Sequence, residues 1–280
     1  MRDIMDSSID VILTDPPFLY LKNNIIDIPF DEELFFKEAF RVLKPDGLLA
    51  VFGRGLSFYR WGCLLAGMGM KFKEEIIWDK GRVCSPLNAI GRRHETISVW
   101  TKRNGIIRRS YIPYKEGVSR DLNIVIGDIK RLSAALGNPK ELEELKEYIS
   151  SKQLAYRDKR KETKFSTTVK FQSINDYSRC VSVLQSMTRG RLESDIIHVT
   201  KNSYKAIHPT EKPLNLMRRL IYLLSDRGGI ILDPFAGSAI TLIAAKLSER
   251  HYMGFEINKQ IYEIANERLC SYSNNIFLTE

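Results

Sequence analysis

A chain of 280 residues, 44% hydrophobic and 28% charged, is long enough for one large domain or two small ones and can bury a core without staples. Its four cysteines, Cys63, Cys84, Cys180 and Cys270, lie far apart with no C-x-x-C pair, which argues against a zinc site or a redox couple and predicts reduced thiols. The net charge of +9 is concentrated in the middle third, where Thr101 to Thr200 holds 20 Lys and Arg against 12 Asp and Glu; this suits a polyanion, nucleic acid first, although a solvated charged surface reads the same way.

In chain order, Ile9 to Leu13 reads as a short buried strand, Asp31 to Leu43 as a helix with Leu34, Phe35, Ala39 and Val42 on one face, and Leu48 to Phe52 as a strand. A helical segment from Ser57 to Ala66 precedes two further strands, Phe72 to Trp78 and Thr96 to Thr101. From about Asn104 to Asn202 the rhythm is lost. The clearest helix there is Lys140 to Ser151, and NIVIGDIKRL reads as a strand-to-helix turn at Gly127-Asp128 without a ligand role. After His208 the alternation resumes with a helix Leu214 to Leu224, a strand Ile230 to Leu232, a helix Ala239 to Leu247, a strand Tyr252 to Glu256 and a helix Lys259 to Leu269. Alternating strands and helices imply a mainly parallel sheet covered by helices. The fold class is α/β, with 1–103 and 203–280 as halves of one discontinuous domain and 104–202 inserted between them. No basic-then-apolar leader occurs, and the longest apolar stretch, Gly229 to Leu247, is broken by Asp233 and Pro234, so a cytoplasmic chain off the membrane is expected.

Two strand ends carry the chemistry. ILTDPPFLY stops abruptly at Asp15, because neither Pro16 nor Pro17 can donate to a sheet ladder. Open α/β sheets bind ligands where such strands end. IILDPFAGSAIT runs from a buried strand into Asp233, a small-residue turn at Gly237 and Ser238, and a helix start, an arrangement that lets a ligand approach the main chain. It is neither G-x-G-x-x-G nor a phosphate P-loop, so a nicotinamide oxidoreductase is disfavoured. Glu256 closes the next strand, where these folds hydrogen-bond a ribose, and the pair of features points to an adenosine-containing cofactor. The four histidines are scattered, and no metal is assigned.

ILTDPPF together with LDPFAGSAIT resembles the paired signature motifs of the amino-methylating DNA methyltransferases. The order of catalytic motif, basic insertion and cofactor motif is similar to their permuted β class. Arg41 to Gly47, Ile77-Trp78-Asp79-Lys80, Arg92 to Thr96, and His208-Pro209-Thr210-Glu211-Lys212-Pro213 resemble further segments of that family. The resemblance implies a Rossmann-like S-adenosylmethionine-dependent sheet with an inserted target-recognition domain, mixed α/β or irregular. It implies site-specific transfer of a methyl group to adenine N6 in double-stranded DNA by base flipping. Cytosine N4 is the alternative, and a catalytically impaired DNA-binding remnant is the rival. Asp15 and the Pro16 carbonyl, held by Pro17, would accept the two N–H groups of the amine, and Phe18 would stack on the base. Asp233, Phe235, Gly237, Ser238, Ala239, Thr241 and Glu256 would line the cofactor site, with Thr210 and Lys212 nearby. Arg108, Arg109, Arg157, Arg160, Lys161, Arg189 and Arg191 would meet DNA phosphates. A cognate restriction endonuclease, a solitary phage or prophage setting, and a homodimer are all compatible with the resemblance.

Two departures stand out. The cofactor turn reads G-S-A-I-T where the family usually has G-S-G-T-T, so Ala239 and Ile240 are expected to weaken the cofactor site. Relatives carry a strand ending in Gly-Asp before the catalytic motif, and the sheet is expected to lack it here or to close its adenine pocket another way.

Overall fold

The computed structural model describes residues 1–18, 28–83, 89–118, 122–139, 142–143, 146, 183, 185–187, 189–200 and 211–274. In chain order its elements are β1 (Ile9–Thr14), α1 (Glu32–Val42), β2 (Leu43–Gly53), α2 (Leu56–Gly67), β3 (Lys71–Asp79), β4 (His94–Thr101), β5 (Tyr111–Ile112), α3 (Tyr114–Val118), α4 (Leu122–Ala135), β6 (Arg191–Leu192), β7 (Ile196–His198), α5 (Leu214–Leu224), β8 (Ile230–Asp233), α6 (Ile240–Leu247), β9 (His251–Gly254) and α7 (Lys259–Asn274). They fall into two units, one of Met1–Arg109 with Ser194–Glu280, the other of Ser110–Glu193.

The first unit is built on a seven-stranded sheet in the order β7-β3-β4-β2-β1-β8-β9. Every neighbouring pair is parallel except the two that β4 makes, with β2 and with β3. The mainly parallel sheet expected from the sequence is therefore present, and the two halves of the chain meet where β1 pairs with β8. Because β4 runs against the rest, its first residues lie at the edge where the other strands end. Trp78 pairs with Glu95 and Asp79 with His94. On the far side, β9 is the outermost strand among the described residues.

The strands alternate their side chains between two helical layers. Val11 and Leu13 of β1, with Leu48, Ala50 and Phe52 of β2, pack with Leu216, Leu220 and Leu224 of α5 and Ala244 of α6. Ile12, Leu49 and Val51 point the other way, against Phe36, Ala39 and Val42 of α1 and Trp61 and Leu65 of α2. Each fully buried side chain of this kind contributes roughly 1.5–3 kcal/mol. α1 starts where Asp31 accepts the Leu34 N–H at 2.9 Å, with Glu32 and Glu33 in its first turn and Arg41 in its last.

In the second unit, β5 and β6 form an antiparallel pair. NIVIGDIKRL lies within helix α4, so the expected strand-to-helix turn at Gly127-Asp128 is not there. Ile129, Leu132 and Ser133 recur at helical spacing on its buried side, and Asp128 accepts from Tyr114 Oη at 2.9 Å and Arg131 Nη1 at 2.8 Å. The expected helix Lys140 to Ser151 lies largely outside the described residues. So do Thr210, Arg157, Arg160 and Lys161. β7 was not expected, since three residues in a polar stretch carry almost no periodic signal.

Candidate active site

β1 ends at Thr14, and Asp15 emerges beside the end of β8. The Thr14 hydroxyl donates to Asp233 Oδ1 at 2.8 Å, so one bond ties the two motif-bearing strand ends together. Asp233 also accepts the Thr241 hydroxyl at 2.6 Å and the Phe235 N–H at 3.1 Å. Its carboxylate is buried, and both oxygens are taken up by protein donors. Burial pushes it up to about 6, against the pull of Thr241, Thr14 and the Phe235 N–H. Asp233 and Thr241, both expected to line the cofactor site, thus brace the turn from within.

The turn itself is shaped by three small residues. Gly237 has φ +51° and faces open space, with nothing within 4 Å of where a Cβ would stand. Its N–H donates to Glu256 Oε2 at 3.0 Å, and Glu256 Oε1 accepts the Asn258 N–H at 2.8 Å. Gly254 at the end of β9 lets the strand pass the turn, because a Cβ there would stand 2.8 Å from Leu242 Cδ1 and 3.0 Å from Ala236 Cβ. Ala239 caps α6 in the left-handed region, at φ 61° and ψ 21°, with no side-chain capping bond. Ser238 is buried. The open space beside Gly237, with the half-buried Glu256 carboxylate at the neighbouring strand end, fits an adenosine-bearing group.

An aromatic wall that runs from Phe18 through Trp61 and Phe30 to Phe235 connects the two motifs on the α1 and α2 side. The Phe18 ring lies 6.1 Å from that of Trp61, Trp61 lies 6.3 Å from Phe30, and Phe30 lies 5.0 Å from Phe235. Phe35 is 5.2 Å from Phe235. Pro16 is buried, while Asp15, Pro17 and Phe18 are half-buried.

Along the same edge runs a chain of charges, with buried Lys212 and Lys80 alternating with half-buried Asp15 and Glu95. Lys212, just before α5, donates to Asp15 Oδ2 and lies 3.3 Å from Glu95 Oε2. Glu95, at the start of β4, takes Lys80 at 2.5 Å through its other oxygen. Lys212 Nζ sits 4.9 Å from the centre of the Phe52 ring and Lys80 Nζ 5.2 Å from that of Trp78. Burial raises the Asp15 carboxyl above its ordinary value, opposed by Lys212. Burial also disfavours the Lys212 charge, but the carboxylates of Asp15 and Glu95 outweigh it and the ammonium is held more firmly than usual. Burial works against the Glu95 charge too, and the two lysines lower its carboxyl to about 2. Lys212, expected near the cofactor, is thus engaged by Asp15. Its segment is pinned by Glu211, which pairs with Arg268 of α7 at 2.8 and 3.0 Å. Glu95 also lines a cavity of about 290 Å³ with Arg54, Phe58, Tyr59 and His94.

Farther along the edge, Asp79 accepts Arg93 at 2.8 and 2.9 Å, the Gly81 N–H at 2.8 Å and His198 Nδ1 at 2.8 Å. Arg93 above all holds its carboxyl well below the ordinary range.

Of the basic residues expected to meet DNA, Arg109 and Arg189 have exposed side chains. Arg108 is engaged within the chain: its guanidinium pairs with Asp226 at 2.8 and 2.7 Å and donates to the Leu224 and Ile106 carbonyls. Arg191 is half-buried on β6, with a buried Nη1. Among the described residues, no group of three or more His, Cys, Asp or Glu gathers as a metal site, and no helix is long and apolar enough to cross a membrane.

The family profile described as "DNA methylase", covering N6 and N4 enzymes, matches residues 9–267. The type II methyltransferase M.HpaI of Haemophilus parainfluenzae is 26% identical over 98% of this chain and 72% of its own length. M.HindIII of Haemophilus influenzae is 52% identical over 73 residues, 26% of this chain; that match spans about a quarter of the relative, 24%. Among solved structures, the M1.HpyAVI–SAM complex superposes with a TM-score of 0.51 at 18% identity, covering 95% of this chain and 90% of that one. The cytosine-N4-specific PvuII DNA methyltransferase gives 0.56 at 14% identity, covering 100% and 89%. At such identities the structures speak for the fold, which is the expected one.

Proposed function

The chain belongs to the DNA methylase family whose members use S-adenosylmethionine to methylate adenine N6 or cytosine N4, and from that premise we propose that it methylates adenine N6 at specific sites in double-stranded DNA. What carries this reading is the Thr14–Asp233 bond, which joins the end of the DPPF strand to the cofactor turn beside an Asp15 oxygen, Oδ1, that is buried and without a partner among the described residues.

An exocyclic amine is a weak nucleophile because its lone pair is delocalised into the ring. Asp15 Oδ1 accepts one of its N–H groups and the Pro16 carbonyl accepts the other, which localises the lone pair and aims it. Bound S-adenosylmethionine supplies the electrophilic methyl group. Glu256 and the open side of Gly237 hold the adenosine part, and Phe235 continues the aromatic wall beside it. Phe18 stacks on the target base, which has to leave the duplex to reach this edge; one such stack is worth roughly 1–3 kcal/mol. The acid at the first motif position favours adenine within the family, where serine accompanies cytosine. Arg109, Arg189 and the basic residues Arg157, Arg160 and Lys161 meet phosphates, giving salt-dependent binding.

Incubation with plasmid and labelled cofactor, followed by digestion to nucleosides, tests the proposal. N6-methyl-2′-deoxyadenosine is expected, and its loss in Asp15→Ala. N4-methylcytosine overturns the choice of base. Salt-sensitive DNA binding without transfer at saturating cofactor overturns the activity.

A further inference from the structure

We propose that Lys212, braced by Glu95 and Lys80, is the positioning residue for Asp15: it occupies one carboxylate oxygen and holds the group ionised, so that the other oxygen is the one presented to the substrate amine. The inference rests on the role given to Asp15 above and extends it to three residues on separate segments of the fold.

The geometry has three parts. First, the two oxygens of Asp15 are treated differently, since Oδ2 takes Lys212 and Oδ1 has no partner among the described residues although it is buried. A carboxylate with both oxygens free could rotate; one anchored oxygen fixes where the other points. Second, the signs alternate along the edge, in the order Asp15, Lys212, Glu95, Lys80. The set as a whole is neutral, so the Lys212 charge is held in place without leaving a net charge under the reacting amine. Third, the anchor is rigid. Lys212 has a side chain only 6% exposed, covers the Phe52 ring, and sits next to Glu211, itself clamped by Arg268.

The described groups facing Asp15 are Lys212 ahead of α5, Glu95 of β4, Lys80 after β3 and Asp233 of β8. Two of these are acids and the desolvation of Asp15 acts with them, so loss of the Lys212 cation leaves every remaining influence but distant Lys80 favouring the protonated carboxyl. A protonated Asp15 loses its charge as an acceptor. The consequence is a pH dependence: the acid limb of methyl transfer, set by Asp15, moves to higher pH when Lys212 is neutralised.

The test compares parent, Lys212→Met and Lys212→Arg proteins. Methionine keeps the length of the chain and removes the charge, while arginine keeps the charge. In the kcat profile from pH 5.5 to 9.5, Lys212→Met is expected to move the acid limb upward by about one to three pH units and to recover activity at high pH. Lys212→Arg is expected to restore most of the parent profile, and KM for DNA is expected to stay within about threefold in both, since the contact is to Asp15 and not to DNA. A Lys212→Met profile that superimposes on the parent, or that is lowered equally at every pH, overturns the proposal while leaving methyl transfer by the parent intact. Should the parent itself transfer no methyl group, the function proposed above fails. The role of Lys212 is then read from the carbon-13 carboxyl titration of Asp15 in folded parent and Lys212→Met proteins: an upward move supports it and an unchanged midpoint overturns it.

Discussion

Replacing Asp233 with Asn isolates the energetic cost of the brace under the cofactor turn. Desolvation raises the Asp233 carboxyl from its ordinary 3.8 to about 6, even with Thr14, Thr241 and the Phe235 N–H donating to it. The folded protein therefore holds this proton more tightly than the unfolded chain does. Below pH 3.8 both states are protonated and the ionised form costs nothing; between there and about 6 stability falls as pH rises; above 6 the full cost is present, about 3 kcal/mol. Asn is neutral throughout and has no such slope. It keeps Oδ1 for Thr14 and the Phe235 N–H, but the Thr241 hydroxyl loses its acceptor, which costs about 1 kcal/mol. Urea denaturation at fixed ionic strength is the assay. Asp233→Asn is expected to be less stable than the parent near pH 4 and level with it or more stable near pH 7.5. Two stability curves that run parallel across this range refute the assignment of the slope to Asp233.

The remaining predictions concern the turn and the basic residues. Gly254→Ala forces a Cβ against Leu242 and Ala236, and is expected to cost about 1–3 kcal/mol in thermal unfolding and to weaken cofactor binding measured by calorimetry. Ala239→Gly relieves a left-handed alanine worth about 1–2 kcal/mol; since glycine loses roughly 0.5–1 kcal/mol in chain entropy and a buried methyl group, worth about 0.8 kcal/mol, is removed, the unfolding free energy is expected to change by less than about 1 kcal/mol. Arg108→Ala is expected to leave the salt dependence of DNA binding unchanged, whereas Arg189→Ala lowers the slope by about 1, because the Arg108 guanidinium is taken up by Asp226 while the Arg189 side chain is exposed.

The alternation of strands and helices was legible in the sequence because both core faces are written into the strands with a period of two. Val11 and Leu13 against Ile12, and Leu48, Ala50 and Phe52 against Leu49 and Val51, are the residues that divide between the two helical layers. Pairing direction has no such signature. Nothing in His94 to Thr101 distinguishes a strand that runs against its neighbours from one that runs with them, and β7 is too short to show a period at all. NIVIGDIKRL misled because a Gly-Asp after three β-branched residues imitates a turn, while the helix that forms is decided by what Ile129 and Leu132 can bury.

The same limit explains which parts of the candidate site were hidden. Asp15, Gly237 and Glu256 sit at strand ends that local chemistry marks, by two prolines, by small residues and by a carboxylate after a buried run, so the sequence pointed to them directly. Glu95 could be recognised as part of a familiar stretch but not given a neighbour, because it reaches the carboxyl edge only by virtue of the reversed direction of β4. Lys212 arrives from a segment almost two hundred positions after Asp15, at a separation of 197 residues, and the resemblance of His208 to Pro213 to a family segment at the entry to the cofactor half points it toward the cofactor instead. A buried lysine is nevertheless a demanding residue: with its side chain 6% exposed it requires carboxylate partners, and among the described residues the half-buried Asp15 and Glu95 supply them. Burial, which the sequence does not display for a charged residue, is the quantity that turns Lys212 from a surface cation into a constraint on Asp15.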